Sequence, residues 1–417
     1  MTWFNRTVIG AGLTSFLADV GYELASALLP SFLLALGLPF GLAAQVMGAI
    51  EAAAEFLSNA AKILVGWYSD RIGKRKAFVV GGYALTGSAF ALCAVAAGWP
   101  LVMLAKSLAW LGKGIRGPLR NAIITDAVDP GHRGKAFGFH RAGDTLGAVL
   151  GPLLAAALLY LLATESDQLF PTANYRLAFL FTLLPGLGAA VTFALLVREQ
   201  RFTPKPGLRL GASVAALPTE YRRYLVGVGL FGLGDFAHTI LILVATDRLS
   251  ATLAPAAGLS AFGQGVLVAI LLYAWRNLCQ AVAAFPAGWL GDRVGHVRVL
   301  VGGYLIGAAT MAGFAGLVLS GSGSLVAWAA MFALAGVYMA VQEALEPAIV
   351  PDLVPDRAVH GTAFGVLAVV NGLGDVAASL IVGGLFAAVG PAAGLGYAAA
   401  AMVLGAGWMA FRANPKR

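Results

Sequence analysis

Long apolar stretches separated by polar loops dominate this chain of 417 residues. A helix that crosses a bilayer needs about 20 mostly apolar residues. The stretches are unbroken, unlike the alternating segments of about 10 residues that build a transmembrane β-barrel. We predict twelve membrane-spanning helices, over residues 8–37, 42–68, 78–98, 100–127, 134–163, 177–198, 223–247, 259–289, 298–320, 324–350, 360–388 and 391–411.

The composition excludes the main classes of soluble protein. Hydrophobic residues make up 59% of the chain and charged residues 12%, whereas a soluble domain has about 45–50% and about 25%. So little charge cannot cover a water-exposed surface, which rules out a cytosolic enzyme, a nucleic-acid-binding protein and a secreted domain. The two cysteines, Cys93 and Cys279, lie within apolar stretches and predict no disulfide framework.

The distribution of basic residues predicts the orientation in the membrane. With the N-terminus in the cytoplasm, most of the 28 lysines and arginines fall in cytoplasmic segments, and the outer loops receive only Arg176 and Arg248. Cytoplasmic loops are enriched in these residues, so topology explains the net charge of +8 without a nucleic-acid partner. We expect a multi-pass protein of the inner (cytoplasmic) membrane with both termini in the cytoplasm.

A polar segment divides the chain almost in half. Residues 199–222 are rich in arginine and proline, a composition typical of a linker. We predict an N-terminal six-helix bundle over residues 1–198, a cytoplasmic linker over 199–222 and a C-terminal six-helix bundle over 223–417.

The two halves carry related sequences. The segment GWYSDRIG recurs as GWLGDRVG, and LRNAIITD recurs as LEPAIVPD. The offset between the copies is nearly constant, which indicates a duplicated six-helix unit. Parallel repeats of this kind place a substrate site at their interface, near the middle of the membrane.

The first of these segments, with the basic run after it, resembles the loop motif of the major facilitator superfamily. The second copy stands where that superfamily carries its weaker repeat. The resemblance covers the whole chain and implies an all-α integral membrane protein, with twelve transmembrane helices in two pseudo-symmetric six-helix bundles, that works as a monomer. It also implies a conformational gate, formed by Gly66, Asp70, Arg71, Gly73, Lys74 and Arg75 and, in the second copy, by Asp292 and Arg293.

A second resemblance lies in span five. Gly138, Gly147, Gly151 and Pro152 match a glycine–proline motif of the antiporter branches of the superfamily, which move drugs and metabolites. Small residues allow helices to approach closely, and proline bends a helix. Two alanines stand where paired glycines are usual in this motif. The resemblance implies export by antiport.

Span four departs from the pattern of the superfamily. Trp110 lies near the position of its usual arginine, and the nearby cations are Lys106, Lys113, Arg116 and Arg120. The motif therefore transfers no proton-coupling role to this span.

Acidic residues inside the predicted spans are candidates for proton coupling. An ionisable side chain in a span costs about 2.5–3.5 kcal/mol on insertion scales, so it usually faces a cavity or a partner. A buried carboxylate that loses a cationic partner during a conformational change takes up a proton more readily. The candidates are Asp19, Glu23, Glu51, Glu55 and Asp144.

Further polar residues of the spans are candidates for substrate binding. A buried arginine stays charged and can hold an acidic group of the substrate. Most of the charge lies in the first half, which indicates an asymmetric cavity, while internal ion pairing is the alternative role for any one residue. The candidates are Arg141, His140, Asp235, His238, Arg276, Asn277 and Glu343.

These features favour a secondary active transporter that works by alternating access in the lipid bilayer. The sequence has no phosphate-binding loop for ATP and no catalytic motif of an enzyme, and we expect no cofactor, no bound metal and a proton as coupling ion. We expect proton-coupled efflux of a small organic compound by antiport. The alternatives are uptake by symport, and transport of an organic anion or a divalent metal ion. A membrane enzyme would need a catalytic residue set, and a transporter-like sensor an appended signalling domain.

The predicted orientation is tested with reporter fusions. Green fluorescent protein fused after Arg417 should fluoresce and alkaline phosphatase fused there should be inactive, because the C-terminus is expected in the cytoplasm. Both reporters placed after Asp167, between spans five and six, should behave in the opposite way. The same behaviour at both positions would contradict the twelve-span topology.

Overall fold

The computed structural model describes residues 4–72, 74–128, 133–162, 172–199, 217–252, 259–354 and 360–412. The helices of the first half are α1 (Arg6–Ala35), α2 (Phe40–Ile72), α3 (Lys76–Ala89, followed by the 3₁₀-helix Phe90–Val95), α4 (Trp99–Asp126), α5 (Arg133–Leu162), α6 (Thr172–Phe181) and α7 (Leu183–Leu196). Those of the second half are α8 (Thr219–Gly232), α9 (Thr239–Ser250), α10 (Ala261–Val294), α11 (His296–Ser320), α12 (Leu325–Leu353), α13 (His360–Ala388) and α14 (Pro391–Arg412).

The prediction of an all-α membrane protein is confirmed. Among the described residues, ten helical stretches are long and apolar enough to cross a membrane. The fourth and seventh predicted spans are not among the ten. Helix α4 is long enough but carries four basic residues, and the seventh span is divided into two short helices.

Span seven differs from the prediction of one continuous helix over residues 223–247. It consists of α8 and α9, separated by the non-helical residues 233–238. The backbone N–H of Ala237 donates to Ser379 Oγ of α13 at 3.1 Å. A side chain thus satisfies a backbone group in the break, as an apolar environment requires. The break places the predicted candidates Asp235 and His238 on irregular backbone.

The chain divides into two compact units. The first comprises Met1–Pro39, Ala53–Gly207 and Leu253–Ala274, and the second comprises Phe40–Ala52, Leu208–Thr252 and Trp275–Arg417. In the first unit α1 packs against α5 and α7, and α3 packs against α4 and α7. In the second unit α11 packs against α12 and α14, and α8 packs against α13 and α14. The first unit includes the start of α10, and the second includes the start of α2.

The start of the predicted linker is anchored to the first unit, while residues 200–216 lie outside the described residues. Glu199 binds the N-terminus of α3, where its Oε1 accepts from Arg75 N at 2.5 Å and its Oε2 from Lys76 N at 3.1 Å. Such N–H groups have no partner within the helix, and a carboxylate there also interacts favourably with the helix dipole.

Glycines of α5 bring this helix into close contact with α1. A Cβ atom on Gly147 would lie 2.6 Å from Phe16 O and 2.7 Å from Asp19 Cβ, and one on Gly151 would lie 2.8 Å from Glu23 Cβ. Real Cβ atoms essentially never approach this closely. The span-five motif therefore packs α5 onto the segment of α1 that carries the two acids.

We expect Gly151→Ala to destabilise the protein, because the added methyl group meets backbone and Cβ atoms of α1. Overpacking of this kind typically costs about 1–3 kcal/mol. Gly302→Ala in α11 is the matched control, since a Cβ atom there meets nothing within 4 Å and alanine favours a helix by about 1 kcal/mol over glycine. The measurement is the Tm of each purified variant in detergent. Equal Tm values for the two variants would contradict the close contact.

Candidate functional site

One face of α1 carries buried polar residues of the first unit. Ser15, Asp19, Tyr22 and Glu23 lie on one side of the helix because they are three or four residues apart. Ser15 is fully buried, and Asp19 and Glu23 are 7% and 9% exposed. Tyr22 OH donates to Asp19 Oδ2 at 3.5 Å, and Glu23 Oε2 accepts from Tyr273 OH at 3.2 Å.

Arg120 of α4 connects this face with α3 and α5. Its Nη1 donates to Ser15 Oγ at 3.3 Å and to Tyr83 OH at 3.4 Å. Ser15 Oγ is also hydrogen-bonded to His140 Nε2 at 2.6 Å, and His140 Nδ1 lies 3.6 Å from Asp144 Oδ2. A continuous set of polar contacts therefore runs from α4 through α1 to α5.

Arg116 lies one turn before Arg120 and is 2% exposed. Its Cζ lies 4.2 Å from the ring centroid of Tyr83, and its charge acts on Asp19. The Nε and Nη1 atoms are buried and have no hydrogen-bond partner among the described residues. Buried polar groups are nearly always hydrogen-bonded, so Arg116 has unused capacity to bind an anion.

Aromatic rings surround the two lysines of α4. Lys106 Nζ lies 3.5 Å from the ring centroid of Trp110, and Lys113 Nζ lies 4.8 Å from Trp110 and 4.6 Å from Tyr22. Such cation–π contacts are worth about 2 kcal/mol when desolvated. Trp110 Nε1 donates to Glu55 Oε1 at 2.7 Å. Glu55, one of the predicted proton-coupling residues, is therefore held by the tryptophan between the lysines.

Arg141, a predicted substrate-binding residue, is mostly exposed. Its side chain is 61% exposed, and its Nη1 lies 3.9 Å from Asp144 Oδ2. The structure thus shows the internal ion pair that was the alternative role for this arginine, and exposed pairs contribute about 0–1 kcal/mol.

A second group of buried polar residues lies in the second unit, next to the break between α8 and α9. Asp235 is 7% exposed and accepts from Tyr338 OH at 3.3 Å and from Gln342 Nε2 at 2.8 Å. His238 Nε2 is hydrogen-bonded to the same tyrosine hydroxyl at 2.5 Å. Tyr338 thus joins two of the predicted substrate-binding candidates.

Glu346 lies one turn after Gln342 on α12 and is 3% exposed. Its Oε1 accepts from Tyr304 OH at 2.7 Å and its Oε2 from Asn371 Nδ2 at 2.6 Å. Its backbone carbonyl accepts from Tyr224 OH at 2.9 Å. The carboxyl group is therefore bound by α11 and α13.

Further predicted residues lie in the second unit, and the charge of Arg276 acts on Asp235 and His238. Arg276 is 5% exposed, and its Nη1 donates to Asn277 Oδ1 at 2.6 Å. Glu51 is buried and accepts from Thr239 Oγ1 at 2.8 Å within the second unit. Glu343 is exposed.

The predicted gate is described in part. Lys74 is exposed, and Arg293 is exposed with its Cζ 4.0 Å from the ring centroid of Trp289. Gly73 and the surroundings of five other motif positions lie outside the described residues, namely Gly66, Asp70, Arg71, Gly138 and Asp292.

Related contacts occur near the gate segment in both repeats, from positions one residue apart in the alignment. Arg75 Nη1 lies 2.9 Å from Asp126 Oδ2, and His296 Nδ1 lies 2.7 Å from Asp352 Oδ2. The two aspartates end the repeated segments LRNAIITD and LEPAIVPD. The duplication could therefore have been used to include Asp126 and Asp352 in the predicted gate.

The part of the chain that the structure describes holds no group of three or more His, Cys, Asp or Glu side chains suited to a metal ion. Two buried acids of the spans, Asp19 and Asp235, each accept a hydrogen bond from a tyrosine.

Sequence reasoning missed Arg116 and Glu346 as functional candidates. Arg116 was noted only as one of the cations of span four. Its unused donors become visible only when its neighbours, Tyr83 of α3 and Asp19 of α1, are known. Glu346 occupies the repeat position of Arg120, within LEPAIVPD and LRNAIITD respectively. Comparison of the repeats could therefore have drawn attention to it.

Comparison with known proteins shows which family this chain matches. The model of the Major Facilitator Superfamily matches residues 11–248 and 228–417. An uncharacterized MFS-type transporter of Methanocaldococcus jannaschii is 31% identical over 383 residues, which cover 92% of this chain and 89% of that protein. A gentisate transporter of Corynebacterium glutamicum is 26% identical over 309 residues, covering 73% of this chain and 64% of that protein.

Solved structures share the fold at low sequence identity. A peptide transporter crystallised in complex with sulfate has a TM-score of 0.75 at 17% identity, covering 97% of this chain and 94% of that chain. A human organic anion transporter has a TM-score of 0.67 at 17% identity, covering 97% and 99%.

We expect Asp19→Asn and Arg116→Gln to show a non-additive effect on stability, because the charge of Arg116 acts on Asp19. Coupling energies within one network of charged groups are about 0.5–3 kcal/mol. The measurement is a double-mutant cycle of Tm values in detergent. Asp19→Asn combined with Lys74→Gln is the control cycle, since Lys74 is exposed. Additive effects in both cycles would show that Asp19 and Arg116 do not interact.

Proposed function

The chain belongs to the major facilitator superfamily and is a multi-pass membrane transporter of a small solute, and we propose that this solute is an organic anion carried together with a proton. In this proposal the protein lies in the cytoplasmic membrane with both termini in the cytoplasm and works as a monomer. It uses no cofactor and catalyses no covalent step.

The single observation that carries the proposal is the buried state of Arg116. Two of its nitrogen atoms have no hydrogen-bond partner among the described residues, although the side chain is 2% exposed. A guanidinium group presents parallel N–H donors that match a carboxylate. An anionic substrate would satisfy these donors, whereas an organic cation would be repelled by the four basic residues of α4.

Asp19 supplies the link to a proton. Arg116 and Lys113 both act electrostatically on this carboxylate. An anion bound at Arg116 neutralises part of the positive charge near Asp19, and Asp19 then takes up a proton more readily. By linkage, a proton on Asp19 strengthens anion binding by the same factor. Two ligands that favour each other's binding are carried together, which supports symport.

The names of relatives agree with an acidic substrate. The Corynebacterium glutamicum relative is named a gentisate transporter, and gentisate is a carboxylate. A second relative, 26% identical over 279 residues, is a probable 4-methylmuconolactone transporter of Cupriavidus pinatubonensis. We therefore propose small carboxylic acids, including aromatic ones, as the first compounds to test.

Export by proton antiport is the second candidate, because the glycine–proline motif of α5 packs on α1 at both acids. Gly147 approaches Asp19, and Gly151 approaches Glu23. Any shift of α5 along α1 changes the surroundings of these carboxylates. In antiport, proton and substrate bind alternately to the same charged groups and move in opposite directions.

The test is proton movement in sealed proteoliposomes that contain a pH-sensitive dye. An inward gradient of a carboxylate substrate should acidify the lumen if proton and anion move together. Asp19→Asn should remove this pH change. Arg116→Gln should raise KM about tenfold or more, since a hydrogen bond to a charged group contributes about 1.5–3 kcal/mol.

The control variant is Glu220→Gln, because Glu220 is exposed and pairs with Arg223 on its own helix. It should transport like the wild type. Alkalinisation of the lumen would establish antiport instead of symport. Transport of organic cations but not of carboxylates, or substrate flux without any pH change, would overturn the proposal.

A further inference from the structure

Glu346 is a buried acid, and its hydrogen-bond partners within the described part of the chain are all neutral. Tyr304 and Asn371 bind its two carboxyl oxygens, at 2.7 and 2.6 Å. No basic side chain of the described residues lies within ion-pair or hydrogen-bond distance of this carboxyl group. An ionised carboxylate at such a place is costly, since a buried charge normally requires an opposite charge beside it.

The charged groups that act most strongly on Glu346 are acids. Asp235, near the start of α9, and Glu343, one turn earlier on α12, both oppose a negative charge at this position. Three tyrosines also feel the charge of Glu346, namely Tyr304 of α11 and Tyr221 and Tyr224 of α8. Arg276 of α10 acts on Asp235. A negative charge on Glu346 would therefore add to a negative environment.

The repeat supplies an internal comparison. Arg120 occupies the position of Glu346 in the first half, and it contacts Tyr83 as Glu346 contacts Tyr304. The two tyrosines follow the same glycine pair in the segments GGYAL and GGYLI. The first half thus places a cation beside this tyrosine, and the second half places an acid there.

The next position of the repeat completes the comparison. Asp144 of the first half acts on Arg120, and its counterpart in the second half is Asn371, an amide beside Glu346. A cation and a carboxylate balance each other in the first half. In the second half a carboxyl group stands beside a neutral amide, and only a proton on the acid makes this pair neutral.

We propose that Glu346 carries a proton in this structure and is a proton-binding site of the second unit, separate from Asp19. Its partners suit both protonation states: an amide donates from Nδ2 or accepts at Oδ1, and a tyrosine hydroxyl donates or accepts. This inference deepens the proposed proton coupling and rests on it for its role in transport. It adds a second proton site to the transport cycle.

The test is infrared spectroscopy of the full-length protein in lipid nanodiscs, because a protonated carboxyl group has a carbonyl stretch distinct from that of a carboxylate. At neutral pH the wild type should show a carboxylic-acid band that Glu346→Gln lacks. Glu220→Gln, which replaces an exposed ion-paired glutamate, should retain the band. Identical spectra of wild type and Glu346→Gln in this region would overturn the proposal.

A second variant keeps the test decisive if Glu346→Gln does not fold. Tyr304→Phe removes the hydroxyl bound to Oε1, so the Glu346 band should persist and shift to higher frequency. An unshifted carboxylic-acid region in Tyr304→Phe would overturn the assignment. Because the spectra are recorded without substrate or a gradient, this result is independent of whether Asp19 couples transport to protons in liposomes.

Discussion

Ionised side chains inside a low-dielectric protein are stable only where other side chains replace the water around them. Helix α4 shows how this constraint is met for four cations on one helix. Trp110 provides an aromatic face for the two lysines, Tyr83 stacks on Arg116, and Arg120 donates to Ser15 and Tyr83. Aromatic and hydroxyl groups thus stabilise these charges together with carboxylates such as Asp19 and Glu55. Two donors of Arg116 still have no hydrogen-bond partner among the described residues, which gives this side chain the capacity to bind an anion.

Close helix packing sets the positions of the charged groups. Gly147 and Gly151 let α5 approach the backbone of α1, and the same contacts hold Asp19 and Glu23 between the two helices. In the second unit the break in span seven positions a buried acid, because Asp235 lies on its irregular backbone. Irregular backbone inside a membrane protein needs side-chain partners, and Ser379 provides one of them.

The fold was largely predictable from the sequence, and the candidate site only in part. The length of each apolar stretch fixes the helices, and the repeated segments indicate two related halves. Buried acids such as Asp19 and Glu23 could be selected because any charge within a span is conspicuous. Glu346 was equally visible, but its importance depends on neighbours that are about 25 and 42 residues away in the chain and lie on two other helices. No local pattern reports that both neighbours are neutral.

The sequence by itself determined the all-helical membrane architecture, since hydropathy acts locally and each span must satisfy its own backbone hydrogen bonds. It also determined the duplicated halves and the identity of most buried charges. Only the tertiary structure decided which charges have partners. Arg141 is exposed while Arg116 is buried beside Asp19, although both are arginines within predicted spans. The physical reason is that solvation of a charge depends on every helix packed around it, and that arrangement is a property of the fold as a whole.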